Sequence, residues 1–77
     1  MSVKIYTTPS CVYCRMSKDF FQKNNVKFQE LNVALDAVAR EEMIKKSGQF
    51  GVPVIDIDGK LIIGFDRARL SELLGIK

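Results

Sequence analysis

Histidine is absent from the 77 residues, and cysteine occurs only twice, as Cys11 and Cys14. A structural zinc ion wants four thiolate or imidazole ligands, so one copy of this chain cannot close such a site and a metal or iron–sulfur centre would need two copies. Proline and glycine are few and scattered, forming no linker or low-complexity tract, and a hydrophobic content of 47% argues against disorder. No apolar run approaches the ~18 residues of a membrane span. Met1-Ser2-Val3-Lys4 shows no charged region, apolar stretch and small-residue cleavage site of an export signal, which leads to the expectation of a cytoplasmic protein. The net charge is +3, but lysine and arginine are interleaved with aspartate and glutamate and form no basic stripe, so no nucleic-acid partner is expected. A mildly positive face suits an acidic protein partner or an anionic thiol compound. The length corresponds to a single domain, residues 1–77, expected to act as a monomer and near the size at which one core is barely self-sufficient.

The remaining pattern is that of a small α/β protein. Val3 to Thr7 alternates as a strand, Pro9 stops it, and Ser10 is placed to cap a helix starting at about Cys11. Tyr13, Met16 and Phe20 fall on one stripe with Cys14 and Phe21 beside it, predicting an amphipathic helix that ends at Asn24-Asn25. A second strand is expected over Val26–Leu31. Leu35, Val38, Ala39, Met43 and Ile44 then recur at helical spacing, with Gly48 as the stop. A third strand, Pro53–Ile57, meets a fourth, Lys60–Ile63, through the hairpin signal Asp58-Gly59. Asp66 can cap a closing helix with Leu70, Leu73 and Leu74 on its buried stripe and Gly75 as its end. The order β-α-β-α-β-β-α predicts a four-stranded mixed sheet with helices on both faces, its first two strands parallel and its last two antiparallel.

This arrangement puts Cys11-Val12-Tyr13-Cys14 at an exposed sheet rim, between a strand and a helix. Two cysteines two residues apart close a disulfide with little backbone movement, and a thiol at a helix N-terminus meets unsatisfied N–H groups that favour its anion. Cys11, the earlier, is therefore expected to be the nucleophile, and Cys14, a turn further in and on the apolar side, the resolving thiol. Lys4, Arg15 and Lys18 are cations that can assist. Val12 and Tyr13 would tune the reduction potential, and Tyr13 offers a flat face and a hydroxyl either to a partner or to packing. Beside dithiol exchange stand two other readings of the pair: half of a metal or cluster site shared by two chains, and an inert staple.

With these elements in place, Cys11-Val12-Tyr13-Cys14, Val52-Pro53 and Gly64-Phe65-Asp66 together resemble the glutaredoxins of the thioredoxin superfamily, across essentially the full chain. The resemblance implies a thioredoxin-like fold and a thiol–disulfide oxidoreductase that holds no bound cofactor or metal. It implies a cis peptide at Pro53, a Val52 backbone that pairs with the cysteinyl part of a bound thiol peptide, and a Gly64-Phe65-Asp66 turn whose following helix start holds the substrate's terminal groups. The implied substrates are disulfide-containing proteins or glutathione mixed disulfides, with electrons from glutathione or another low-molecular-weight thiol. Four positions depart from the glutathione-using pattern. Val12 replaces the proline after the first cysteine, Thr8 a lysine three residues before it, Ile63 the first glycine of a pair and Arg67 a second aspartate. These departures raise the alternative of an NrdH-like redoxin, recharged by a flavoprotein thioredoxin reductase and feeding ribonucleotide reductase. A dimeric iron–sulfur carrier is the further alternative.

Overall fold

Alternating apolar residues produce a central strand whose two sides serve two different helix layers. In the computed structural model, which describes residues 1–76, this strand is β1 (Val3–Thr7), followed by α1 (Val12–Lys23), β2 (Gln29–Asn32), α2 (Ala37–Ser47), β3 (Val54–Ile57), β4 (Lys60–Ile63) and α3 (Arg67–Leu74). The sheet order is β2-β1-β3-β4, with β1 and β2 parallel and the other two pairings antiparallel. Ile5 lies opposite Glu30 on one side and Ile55 on the other.

Because side chains alternate along a strand, Val3 and Ile5 of β1 and Ile55 and Ile57 of β3 share one face. There they meet Phe20 and Phe21 of α1 and Leu70 of α3. Tyr6 and Val54 point the other way, onto Ala39 and Met43 of α2. Helices therefore cover both faces. Asp58 and Gly59, with φ of 51° and 90°, make the tight β3–β4 turn that their sequence signals, and Gly48 and Gly75 end α2 and α3 in the left-handed conformation.

Four expectations shift. The second strand begins at Gln29, not Val26, because the Val26 N–H bonds back to the Phe21 carbonyl (2.8 Å); Val26 and Phe28 contribute by packing on the α1 side instead of by ladder pairing. The buried stripe of α1 is rotated from the one its spacing suggests. Ser17 is fully buried, with its hydroxyl donating to the Tyr13 carbonyl at 2.8 Å, whereas Tyr13 and Met16 are 59% and 43% exposed. Likewise α2 starts at Ala37 behind an Asp36 cap, which leaves Leu35 outside the helix and Val38 on its solvent side. The third strand begins one residue later than expected, at Val54.

On the α2 face a charged cluster links helix to sheet. The Lys46 ammonium donates to the buried Asp56 carboxylate (2.8 Å) and to the Tyr6 hydroxyl (3.0 Å), and that hydroxyl donates to Glu42. Burial by itself would raise the Asp56 pKa, but the Lys46 hydrogen bond together with the Gly59 N–H at 2.7 Å outweighs it and holds the carboxyl below the usual range. The Tyr6 hydrogen bond, followed by Lys46, lowers Glu42 in the same direction. Carboxyls depressed in the folded state stabilise it above the unfolded-state range, and that contribution disappears as pH falls through their folded values. The melting temperature should accordingly hold steady above about pH 5 and drop below about pH 4. Lys46→Met should lower it at neutral pH and flatten the acid drop. An acid profile in the variant parallel to that of wild type would contradict this role for the cluster.

Candidate active site at the sheet rim

The end of β1, the start of β3 and the end of β4 lie at the same edge of the sheet, since Tyr6 pairs with Val54 and Val54 with Ile63. This register brings Cys11 and Cys14, Val52-Pro53 and Gly64-Phe65-Asp66 to one rim. A hydrogen bond from the Gly64 N–H to the Pro53 carbonyl (2.8 Å) ties two of the three segments together. Gly64 has φ of +86°, a left-handed conformation that a residue with a Cβ adopts only with strain. The Val52–Pro53 peptide is cis.

Cys11, not Ser10, is the N-cap of α1. Its backbone is extended (φ −87°, ψ 112°), and its Sγ accepts the Cys14 N–H at 3.0 Å, while Ser10 stays in the preceding turn. Capping chemistry ordinarily assigned to an oxygen is performed here by sulfur, which places the sulfur on the positive end of the helix. Cys11 is half-buried and reachable, whereas Cys14 is 1% exposed. The two are joined as a disulfide with Cα atoms 5.2 Å apart.

Around the pair, Tyr13 is exposed, Val52 half-buried and Pro53 fully buried. Phe65 is half-buried with its ring edge-on to Phe20 at 6.0 Å. Asp66 caps α3, its Oδ1 accepting the Arg69 N–H at 3.0 Å. Thus the cysteine pair, Tyr13, Val52-Pro53 and Gly64-Phe65-Asp66 lie at the rim, in two helix N-termini and the strand start between them, whereas Lys4 sits toward the other end of β1, opposite Asp56, and Lys18 pairs with Glu30. At the positions that depart from the glutathione-using pattern, Val12 and Ile63 are exposed and the Arg67 guanidinium lies over the Phe20 ring, 5.9 Å from its centroid.

A polar cluster beside α1 adds to the residues that the sequence singles out. Buried Thr7 donates its hydroxyl to Glu30 (2.7 Å), and Lys18, one turn beyond Cys14, donates to the same oxygen (2.9 Å). The Lys18 hydrogen bond and then that of Thr7 lower the Glu30 pKa. Its one sequence signal is the four-residue step from Cys14 to Lys18, which sets both on one helix face. Among the described residues, no three His, Cys, Asp or Glu side chains come together in a way that could hold a metal ion, and no helix is long and apolar enough to cross a membrane.

A dithiol in the first turn of a helix, at the rim of a four-stranded mixed sheet and facing a cis-proline strand start, defines a thioredoxin-like thiol–disulfide oxidoreductase. The chain belongs to the glutaredoxin family, whose model matches residues 3–62. It is 46% identical over 72 residues to an uncharacterized glutaredoxin-like 8.6 kDa protein in the rubredoxin operon of Clostridium pasteurianum, covering 94% of this chain and 96% of that one. It is also 46% identical over 65 residues to glutaredoxin 3 of Escherichia coli K12, covering 84% and 78%. Among solved structures, the glutaredoxin-like NrdH-redoxin from Escherichia coli, described as having a thioredoxin-like activity profile, superimposes with a TM-score of 0.83 at 26% identity, covering 95% of both chains.

The difference in exposure between the two sulfurs has a direct readout. Brief treatment of the reduced protein with iodoacetamide at neutral pH should modify Cys11 and leave Cys14 unmodified by mass spectrometry. Equal labelling, or labelling of Cys14 first, would reverse the assignment of roles.

Proposed function

We propose that this protein reduces disulfides in other proteins by a two-step dithiol exchange. The Cys11 thiolate attacks one sulfur of the target disulfide, forming a mixed disulfide and expelling the target's other sulfur as a thiolate that takes up a proton. Cys14, as its thiolate, then attacks the Cys11 sulfur, releasing the second target thiolate and leaving the Cys11–Cys14 disulfide. Two electrons pass from the protein to the target. The observation that carries this reading is the asymmetry of the pair: a reachable Cys11 sulfur held by a helix N–H at 3.0 Å, and a buried Cys14 beneath it.

In this reading the half-buried Val52 presents its backbone to the target chain in the manner of an added strand, with Pro53 fixing the approach and Tyr13 covering the far side. Gly64 and Phe65 form the opposite wall. Asp66 and the N–H groups opening α3 receive polar end groups of the bound segment. The protein works as a monomer in a reducing, cytoplasmic compartment, and no bound cofactor takes part.

For the electron donor, the rim favours a protein dithiol, of the kind a flavoprotein thioredoxin reductase presents. Thr8 brings no cation to the site, Arg67 lies over the Phe20 ring, and exposed Val12, Tyr13 and Ile63 offer apolar contact instead. The likeness to the NrdH-redoxin, with its thioredoxin-like activity profile, supports the same reading; a ribonucleotide reductase is the recipient that the resemblance to such redoxins implies. Glutathione is the second reading, supported by the family itself, by the similarity to glutaredoxin 3 and by the anion-suited start of α3.

Insulin reduction coupled to NADPH oxidation, run in parallel with thioredoxin reductase and with glutathione plus glutathione reductase, tests both parts. Turnover is expected with thioredoxin reductase and little with glutathione; the opposite pattern assigns the protein to glutathione. Cys11→Ser should abolish turnover with either donor, and Cys14→Ser should stall as a target adduct on Cys11. Undiminished turnover by Cys11→Ser would end the exchange reading.

A further inference from the structure

The stripe whose spacing suggests burial includes side chains that the fold leaves uncovered. Beside exposed Met16 runs an open groove of about 260 Å³ between α1 and the start of α3. Its apolar lining is Met16, Phe20 and Phe65, and its charged lining is Lys23 and Arg67 against a single carboxylate, Asp19. Among the described residues, no ion pair engages Lys23, Arg67 or Asp19; the Arg67 guanidinium lies over the Phe20 ring, 5.9 Å from its centroid.

We propose that this groove docks a segment of the target protein next to its redox cysteine, a segment carrying an apolar side chain accompanied by carboxylates. The inference rests on the thiol-exchange reading above and adds to it the class of protein sequence that is preferred. Three observations support it. The groove is continuous with the active rim, because Met16 lies one turn from Val12, about 6 Å along the helix axis, and Phe65 directly precedes Asp66. A methionine and two phenylalanines form the adaptable, apolar lining that suits a partner's side chain. Finally, two cations against one carboxylate leave the groove positive, as the whole chain is at +3, so acidic segments are attracted and basic ones repelled.

The test uses the pre-reduced full-length protein and measures second-order rate constants with two synthetic peptide disulfides. One peptide carries Leu and two Glu beside its cysteine, the other Leu and two Lys. The wild type should react with the acidic peptide at least about fivefold faster, a difference that shrinks toward unity at high salt. Lys23→Glu combined with Arg67→Glu should reverse the order, while Lys27→Glu combined with Lys45→Glu, which changes net charge equally on exposed sites elsewhere, should retain it. Using a ratio of two rates cancels any general loss of activity. Equal rates for the two peptides, a preference that survives the groove charge reversal, or one lost equally in the control variant would overturn the proposal. Bis(2-hydroxyethyl) disulfide separates the two levels of the argument. If the wild type fails to react with it, the exchange reading itself is wrong; if it reacts while the peptides show no preference, only the groove is.

Discussion

A single hydrogen bond, from the Cys14 N–H to the Cys11 sulfur, underlies the chemistry of this molecule. It exists because α1 begins at Val12 and leaves Cys11 as the last extended residue before the helix. The unpaired N–H groups of a helix start must find an acceptor, and here they find a sulfur that is also half-open to solvent. Anchoring of the helix follows from its other end. Phe20 and Phe21, six and seven residues and so about two turns beyond Cys14, pack into the layer formed by Ile5, Ile55 and Leu70 and hold the first turn at the rim.

The same edge of the sheet gathers the other working parts for a topological reason. β1 runs toward the rim, β3 starts from it and β4 returns to it, so loops far apart in sequence become neighbours. The Gly64 N–H to Pro53 carbonyl bond then fixes the strand start against the turn leading into α3. The result is a backbone-lined platform facing one nucleophilic sulfur. Recognition through backbone would be tolerant of sequence, so under the proposed function a preference among targets comes from the side chains around the rim, where Val12, Tyr13 and Ile63 are exposed and Arg67 lies over Phe20.

Much of this was legible in the chain itself. Asp58-Gly59, Gly48, Gly75 and the cap at Asp66 are local signals with local causes, and they fall where backbone chemistry demands. The dithiol is legible on its own, while Val52-Pro53 and Gly64-Phe65-Asp66 join it as a set only through the resemblance to the glutaredoxin family. What escaped depends on tertiary context. Ser17 is a polar residue that periodicity assigns to no core, yet its hydroxyl is satisfied by the Tyr13 carbonyl and the helix rolls to bury it, turning Tyr13 and Met16 outward. Ser10 is the better cap by residue type, but the turn geometry gives that position to Cys11. The Thr7–Glu30–Lys18 cluster joins a strand end, a neighbouring strand and a helix, and the Cys14-to-Lys18 step along one helix face is its one local trace.

Thiol exchange by this protein therefore depends on the acidity of one sulfur. The most direct measurement is the pH titration of thiolate ultraviolet absorbance in the Cys14→Ser variant, where Cys11 is the sole thiol. Its midpoint should lie about one unit or more below the ~8.5 of an unperturbed cysteine. A midpoint at or above that value would show that the helix start does not activate Cys11, and the mechanism built on it would be wrong.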